Sequence, residues 1–488
     1  MSRTHKSRAS KVNSKSGLTR REFLTEHALP TMTALAMSPL LEGLFRSENA
    51  MAEGSPASSF MPFAHIHLEG GWGFNGTFGG KNAAGELVSR ETMKQHGIAV
   101  GYGDPTATMI STMGGLLYPA TVSSFTNGLL NATSAATQAN TRIFIYHSES
   151  PDDNSSANDS GLSPLFTLAG FNGLLASMLG PSNSPSGNDT QALASNPAMQ
   201  RYTMNRAGDF INSLAFSRVL TNHSAAAITQ LANSIRDLSS ERIARMSGGN
   251  AEEIRTASQK AAAEFITKAA PAVGTDTLNP TTDPTIAVPF GLTATTTNNV
   301  LGRTDNATIQ ATMVKAALEG NSGPIAFNMR GYDYHATAKN TTDQRNQTAG
   351  QMVGRFLQAA ANKGKPMAIW LTTDGGLAAN LAFVSTDGNS SQFQGDRSRY
   401  SGAMLAIYNP TPLEQTLTNI GNVDDTNGML NPTTVTGQLK MASAHVFYNL
   451  ALLAGKATEG EMALANAGYS RAQIDAIKAM PTLFKETA

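Results

Sequence analysis

Four segments set acids, histidines or hydroxyls directly behind an apolar run. Ile325 to Met329 leads through Arg330 and Gly331 to Asp333 and His335. Met367 to Leu371 leads through Thr372 and Thr373 to Asp374 and two glycines. Arg142 to Tyr146 leads into a loop holding His147, Glu149, Asp152, Asp153, Ser155 and Ser156, and Phe63 to Leu68 carries His65 and His67 and runs into Glu69. The chain has no cysteine, so disulfides, thiolate catalysis and cysteine-ligated metals are excluded, and any chemistry falls to His, Asp, Glu, Ser and Thr. Carboxylates crowded at neighbouring strand ends repel one another unless a cation or a catalytic role holds them. Taken singly, each Asp serves equally well as a helix or turn cap, and Pro151-Asp152-Asp153-Asn154-Ser155 is good turn chemistry.

The elements that must position these residues are legible from spacing. Thr342 to Lys363 has good helix formers, puts Met352, Phe356, Leu357 and Ala360 at helical spacing and ends at Gly364, a suitable C-cap. With the apolar runs on either side it predicts a strand-helix-strand unit, whose polar groups gather at the carboxyl ends of the strands. Further strands are expected over Phe63 to Leu68, Arg142 to Tyr146 and Ala403 to Tyr408, the last following Gly395-Asp396-Arg397-Ser398. Helices are expected over Arg201 to Met246, Ala251 to Ala270, Ala307 to Glu319 with Asp305 as cap, and Thr436 to Ala454, where His445 reads as a core or surface residue. Gly97 to Gly128 reads as loop. Period-two alternation puts His65, His67 and Glu69 on one strand face with Phe63, a row with two readings, solvent-facing residues or supplementary ligands. Gly71-x-Gly73-x-x-Gly76 fits the dinucleotide fingerprint in form, but Thr-Phe-Gly-Gly-Lys-Asn after it is no helix start.

At 488 residues the chain suffices for one large domain with a well-buried core. Lys plus Arg and Asp plus Glu number 36 each, which argues against a nucleic-acid partner. Residues 1–52 read as an export signal: a basic start, Thr19-Arg20-Arg21-Glu22-Phe23-Leu24 in the manner of a twin-arginine motif, an apolar stretch from Ala28 to Phe45, and Ala50-Met51-Ala52 before cleavage. That signal engages the twin-arginine translocation machinery and sends the protein to the periplasm or beyond. The signal holds eight basic and four acidic side chains, so residues 53–488 carry 28 against 32. No segment has the roughly 18 uninterrupted apolar residues of a membrane-spanning helix, so no integral membrane span is expected.

In this order the motifs resemble those of the twin-arginine-exported domain-of-unknown-function family 1501, related to the alkaline phosphatase and sulfatase superfamily. The islands are Gly70-Gly71-Trp72-Gly73, the Asp152 to Ser156 loop, Gly331-Tyr332-Asp333-Tyr334-His335, Thr372-Thr373-Asp374-Gly375-Gly376 and Gly395-Asp396-Arg397-Ser398. The resemblance implies one α/β domain over 53–488, a mostly parallel sheet sandwiched by helices, with a largely helical insertion at about 160–304. It implies hydrolysis of a phosphate or sulfate ester, with Ser155 or Ser156 as nucleophile and Asp333, His335, Asp374 and Asp396 as metal ligands. This chain departs from the pattern: Gly73 replaces a first-strand carboxylate, Gly375 stands where the superfamily has His, and Asp396-Arg397 replaces Asp-His-Gly. Four ligands suit one divalent metal, Zn, Ca or Mg, better than the two-metal site, which needs about six. His65, His67 and Glu69 are further candidate donors. The alternative is a non-catalytic protein on the same fold that binds an envelope partner rather than a small-molecule ester.

Overall fold

The computed structural model describes residues 60–72, 77–78, 82, 84, 86, 109–114, 116–119, 124–149, 162–171, 173, 176, 178–180, 202–213, 278–333, 339–373, 400–417, 419–422 and 439–485. The expected export signal lies outside these residues, as do the expected helices over Arg201 to Met246 and Ala251 to Ala270 except for 202–213, where Tyr202–Thr203 is a strand, against expectation, and Ala207–Ser213 is helix.

The centre is a strand buried on both sides. β1 (Phe63–Leu68) has all six residues buried, as does β8 (Met367–Thr373) along its seven, which is the burial expected of strands covered by helices on both faces. β1 lies between β7 (Ile325–Met329) and β8, parallel to both. The crossover from β7 to β8 is the long helix α8 (Lys339–Asn362), so the expected strand-helix-strand unit is present, with β1 inserted between its two strands. Gly364 follows with a φ of +61°, as its place after the helix requires.

The eight-stranded sheet has the order β10-β4-β9-β8-β1-β7-β5-β6, with β4 at Thr141–Glu149, β5 at Leu179–Gly180, β6 at Tyr202–Thr203, β9 at Tyr400–Tyr408 and β10 at Asn419–Ile420. Only β9 runs against its neighbours, β4 and β8; every other pairing is parallel. The two short strands β5 and β6 come from the 160–304 segment and extend the main sheet.

Alternate side chains feed two helical layers. On one face Ile66, Leu68, Ile143, Ile145, Ile369 and Leu371 pack under α1 (Ser124–Asn131), α7 (Asn306–Leu318) and α8. On the other, Phe63, Phe144, Tyr146, Trp370 and Leu405 pack under α3 (Leu162–Leu168), α9 (Leu439–Leu453), α10 (Ala457–Asn466) and α11 (Arg471–Ala479). Asp305 caps α7 by accepting from Thr308 N at 2.9 Å. Short helices α2 (Ala135–Ala139), α4 (Ala207–Ser213), α5 (Pro284–Ala287) and α6 (Thr297–Leu301) complete the described helices of the α class. Among the described residues no helix is long and apolar enough to cross a membrane.

The segment expected as loop over 97–128 holds a two-stranded hairpin, β2 (Met109–Thr112) with β3 (Leu116–Pro119), and most of α1. Contact with α8 accounts for α1 despite its weak helix formers. A Cβ on Gly350 of α8 would lie 1.9 Å from the Phe125 carbonyl oxygen, and one on Gly128 would lie 2.3 Å from that of Gln347. The two helices touch backbone to backbone. At the far end of α8 sits an ionic knot: Asp283 Oδ2 meets Lys315 Nζ at 3.1 Å and Lys363 Nζ at 2.6 Å, while Glu319 meets Lys363 at 2.9 Å and also pairs with Lys315.

Candidate functional site

Three parallel strands end together. Leu68 is in register with Met329 of β7 and with Thr373 of β8, so the chain leaves all three at one level of one rim. β4 ends there as well. Its Glu149 pairs with Tyr400 at the start of antiparallel β9, which runs alongside β8. The described termini of the strands that precede or follow every segment picked out by sequence are therefore on the same side of the sheet, where open α/β folds bind their ligands.

The turn after β1 is clamped from both sides. Glu69 N donates to Met329 O at 2.9 Å, and Tyr332 N donates to Glu69 O at 3.1 Å. From the β8 side, Thr373 Oγ1 donates to Gly70 O at 2.7 Å, and Trp72 N reaches Thr373 Oγ1 at 3.3 Å. The Trp72 indole N–H donates to Asn346 Oδ1 on α8 at 2.7 Å. Gly70 has a φ of +109°, and a Cβ there would come within 2.4 Å of the N, Cα and Cβ of Asp333. Asp333, half-buried, is thus pressed against the first-strand turn. Beside it the buried Tyr332 hydroxyl donates to Arg345 O at 2.9 Å; burial pushes that phenol up, with the Arg345 charge pulling the other way.

The face of the sheet under α9 changes character along its length. Toward the amino ends of the parallel strands it is Phe63, Phe144, Ala368 and Trp370; toward the rim it is His65, His67, Glu69, Thr372 and Ser148, all buried. The solvent-facing reading of this row is therefore wrong, since helices cover both faces of β1 and exposure falls to 2 % at His65, 1 % at His67 and 7 % at Glu69. Thr372, in register with His67, ties the two histidines together: its Oγ1 is 2.7 Å from His65 Nε2 and 2.8 Å from His67 Nδ1. A hydroxyl donates one hydrogen bond and accepts two, so Thr372 takes an N–H from at least one of the two rings and donates to at most one of them. The result is a buried His-hydroxyl-His cluster. Glu69 Oε2 faces Arg330 Nε at 3.5 Å, while Glu69 Oε1, Asn328 Nδ2 and Ser148 Oγ are shielded from solvent with no hydrogen-bond partner among the described residues.

Of the expected site residues, Asp333 is at the rim as described. Ser155, Ser156, His335, Asp374 and Asp396 lie outside the described residues. Among the described residues no group of three or more His, Asp or Glu is placed to hold a metal ion. His445 is a core residue. Its Nε2–H donates to Pro481 O at 3.1 Å, its Nδ1 accepts from the Tyr146 hydroxyl at 2.9 Å, and burial lowers its pKa to about 4, against the pull of the Pro481 carbonyl. It is neutral near pH 7. Sequence reasoning missed Thr372 and Asn328. Their only signal is a polar residue at the carboxyl end of an apolar run, and its meaning depends on which strands pair.

Comparison of the chain with protein-family models, with curated proteins and with solved structures finds no match. The class defined by the fold is α/β, a mixed sheet flanked by helices on both faces.

Proposed function

We propose that the protein is an exported, metal-assisted hydrolase of phosphate or sulfate esters, working at the carboxyl rim of β1, β7 and β8. The observation that carries this reading is the polar end of an otherwise apolar sheet face. His65, His67, Glu69 and Thr372 are buried there beside Asp333, and burying polar and ionisable groups costs free energy that an aliphatic core avoids. In this reading Ser155 or Ser156 attacks the ester, forming a bond to phosphorus or sulfur as the bond to the alcohol oxygen breaks. The leaving oxygen takes up a proton, and water then releases the inorganic anion. Asp333, His335, Asp374 and Asp396 are the proposed holders of one divalent cation, whose chemistry is to polarise the ester oxygen. The role of His65, His67 and Thr372 is to fix proton positions at the rim.

The test is metal analysis of the exported protein, followed by a panel of phosphate and sulfate monoesters. Expected are one metal per chain and turnover of at least one ester, both lost on Asp333→Ala. Metal-free protein that melts unchanged in chelator and turns over no ester would overturn the reading in favour of a non-catalytic binding protein on the same fold.

A further inference from the structure

We propose that Glu69 and Asn328 form a subsite for a hydroxyl group on the alcohol portion of the ester, an inference that rests on the hydrolase reading. The register pairs Asn328 of β7 with His67 of β1, and strand alternation brings Glu69 onto the same face one step nearer the rim. Glu69 is held at its own N–H and C=O by Met329 and Tyr332, so its carboxylate is confined to this place. Its side chain is 8 % exposed, with Oε2 toward Arg330 and Oε1 without a partner among the described residues. Asn328 on the adjoining strand is half-buried, and its Nδ2 likewise has no partner among the described residues.

The two atoms have opposite needs. An ionised carboxylate oxygen only accepts a hydrogen bond, and an amide nitrogen only donates one. A single O–H group satisfies both, donating its hydrogen to Glu69 Oε1 and accepting from Asn328 Nδ2. A phosphoryl or sulfuryl oxygen has no hydrogen to donate and is repelled by the carboxylate. An ammonium group suits Glu69 but offers Asn328 no acceptor. The subsite therefore selects a neutral hydroxyl set beside the anion, as in the ester of a polyol. Sites built to hydrogen-bond a hydroxyl reject the analogue that lacks it far more strongly than apolar pockets reject an extra methylene.

The probes are glycerol phosphate and propyl phosphate, of equal charge and chain length, differing in the hydroxyls beside the ester oxygen. Binding is measured by calorimetry and turnover by phosphate release. With one hydrogen bond to a charged group at stake, the hydroxylated ester should be favoured roughly 10- to 100-fold in both Kd and kcat/KM. The preference should shrink several-fold in Asn328→Val, which leaves only the hydrogen bond to Glu69, and survive largely in Asn328→Ser, which keeps a donor. Equal treatment of the two esters by the unaltered protein would overturn the subsite and leave a buried water as the group between the two side chains. Selective binding of glycerol phosphate without turnover of any ester would uphold the subsite while overturning the hydrolase reading. Turnover of both esters at equal rates would do the reverse.

Discussion

Gly350→Ala is a test of whether α1 and α8 are held together by backbone contact. The added Cβ falls 1.9 Å from Phe125 O, 2.8 Å from its carbonyl carbon and 3.0 Å from Leu129 N. Ordinary contact begins near 3.4 Å, so the helices must part by about 1.5 Å at this point. No flexible side chain can move aside, because every atom met is backbone. Overpacking costs about 1–3 kcal/mol, and where only backbone can yield the upper part of that range, about 2–3 kcal/mol, applies, from which about 1 kcal/mol is recovered because alanine is the better helix former. The net expectation is a loss of about 1–2 kcal/mol, read as a lower urea midpoint at unchanged slope. Gly302→Ala is the control. Its backbone is right-handed helical and nothing lies within 4 Å of a Cβ there, so the same chemical change should be neutral or stabilise by about 0.4–1 kcal/mol through the unfolded chain. Equal midpoints for Gly350→Ala and the unaltered protein would refute the close approach of the two helices, and with it the support that α8 gives Trp72 through Asn346.

Thr372→Val keeps the shape of the side chain and removes the hydroxyl between His65 and His67. It should cost about 1–3 kcal/mol in urea unfolding, and an unchanged midpoint would show that the hydroxyl bridge carries no stability. Asp283→Asn should cost about 1–3 kcal/mol near neutral pH, because Lys315, 7 % exposed, and Lys363 each lose one of two carboxylate partners and keep Glu319. Burial works against ionisation of Asp283, but hydrogen bonds from Lys363, Thr285 and Lys315 and the Lys315 charge outweigh it and hold the carboxyl well below the usual range. The folded pKa lies below the unfolded one. That stabilisation is therefore complete above about pH 4 and fades as pH falls below it, so thermal scans of the two proteins should converge on acidification. His445 acts in a separate window. Its folded pKa of about 4 lies below the unfolded value near 6.5, so stability should fall by on the order of 3 kcal/mol between those limits as the unfolded chain takes up a proton the core refuses. Calorimetry showing no proton uptake on unfolding at pH 5 would exclude this.

Much of the architecture could be read from apolar runs and helical spacing. Ile325 to Met329, Lys339 to Asn362 and Met367 to Thr373 form the strand, helix and strand that their composition implies, and Asp305 and Gly364 act where caps belong. Strand order could not be read this way. Local periodicity does not say that β1 lies between β7 and β8, and only that pairing brings Thr372 to both histidines and Asn328 beside Glu69. The alternation in Phe-Ala-His-Ile-His-Leu suggests a strand wet on one side, whereas α9 and its neighbours cover that side and turn the histidines into buried groups. The 97–128 stretch looks like loop because glycine, serine and threonine favour neither helix nor strand. Gly128 is there to let two helix backbones meet, a need visible only once α8 is in place.

The outermost described strands of the large sheet are very short. β10 and β6 have two residues each, whereas β1, β4, β8 and β9 in the interior run from six to nine. An added chain gains its grip from a row of unsatisfied amides along a border, and a dipeptide offers at most one or two. Among the described residues each border strand by itself is therefore too short to template a foreign strand, one of the devices by which sheets avoid edge-to-edge joining.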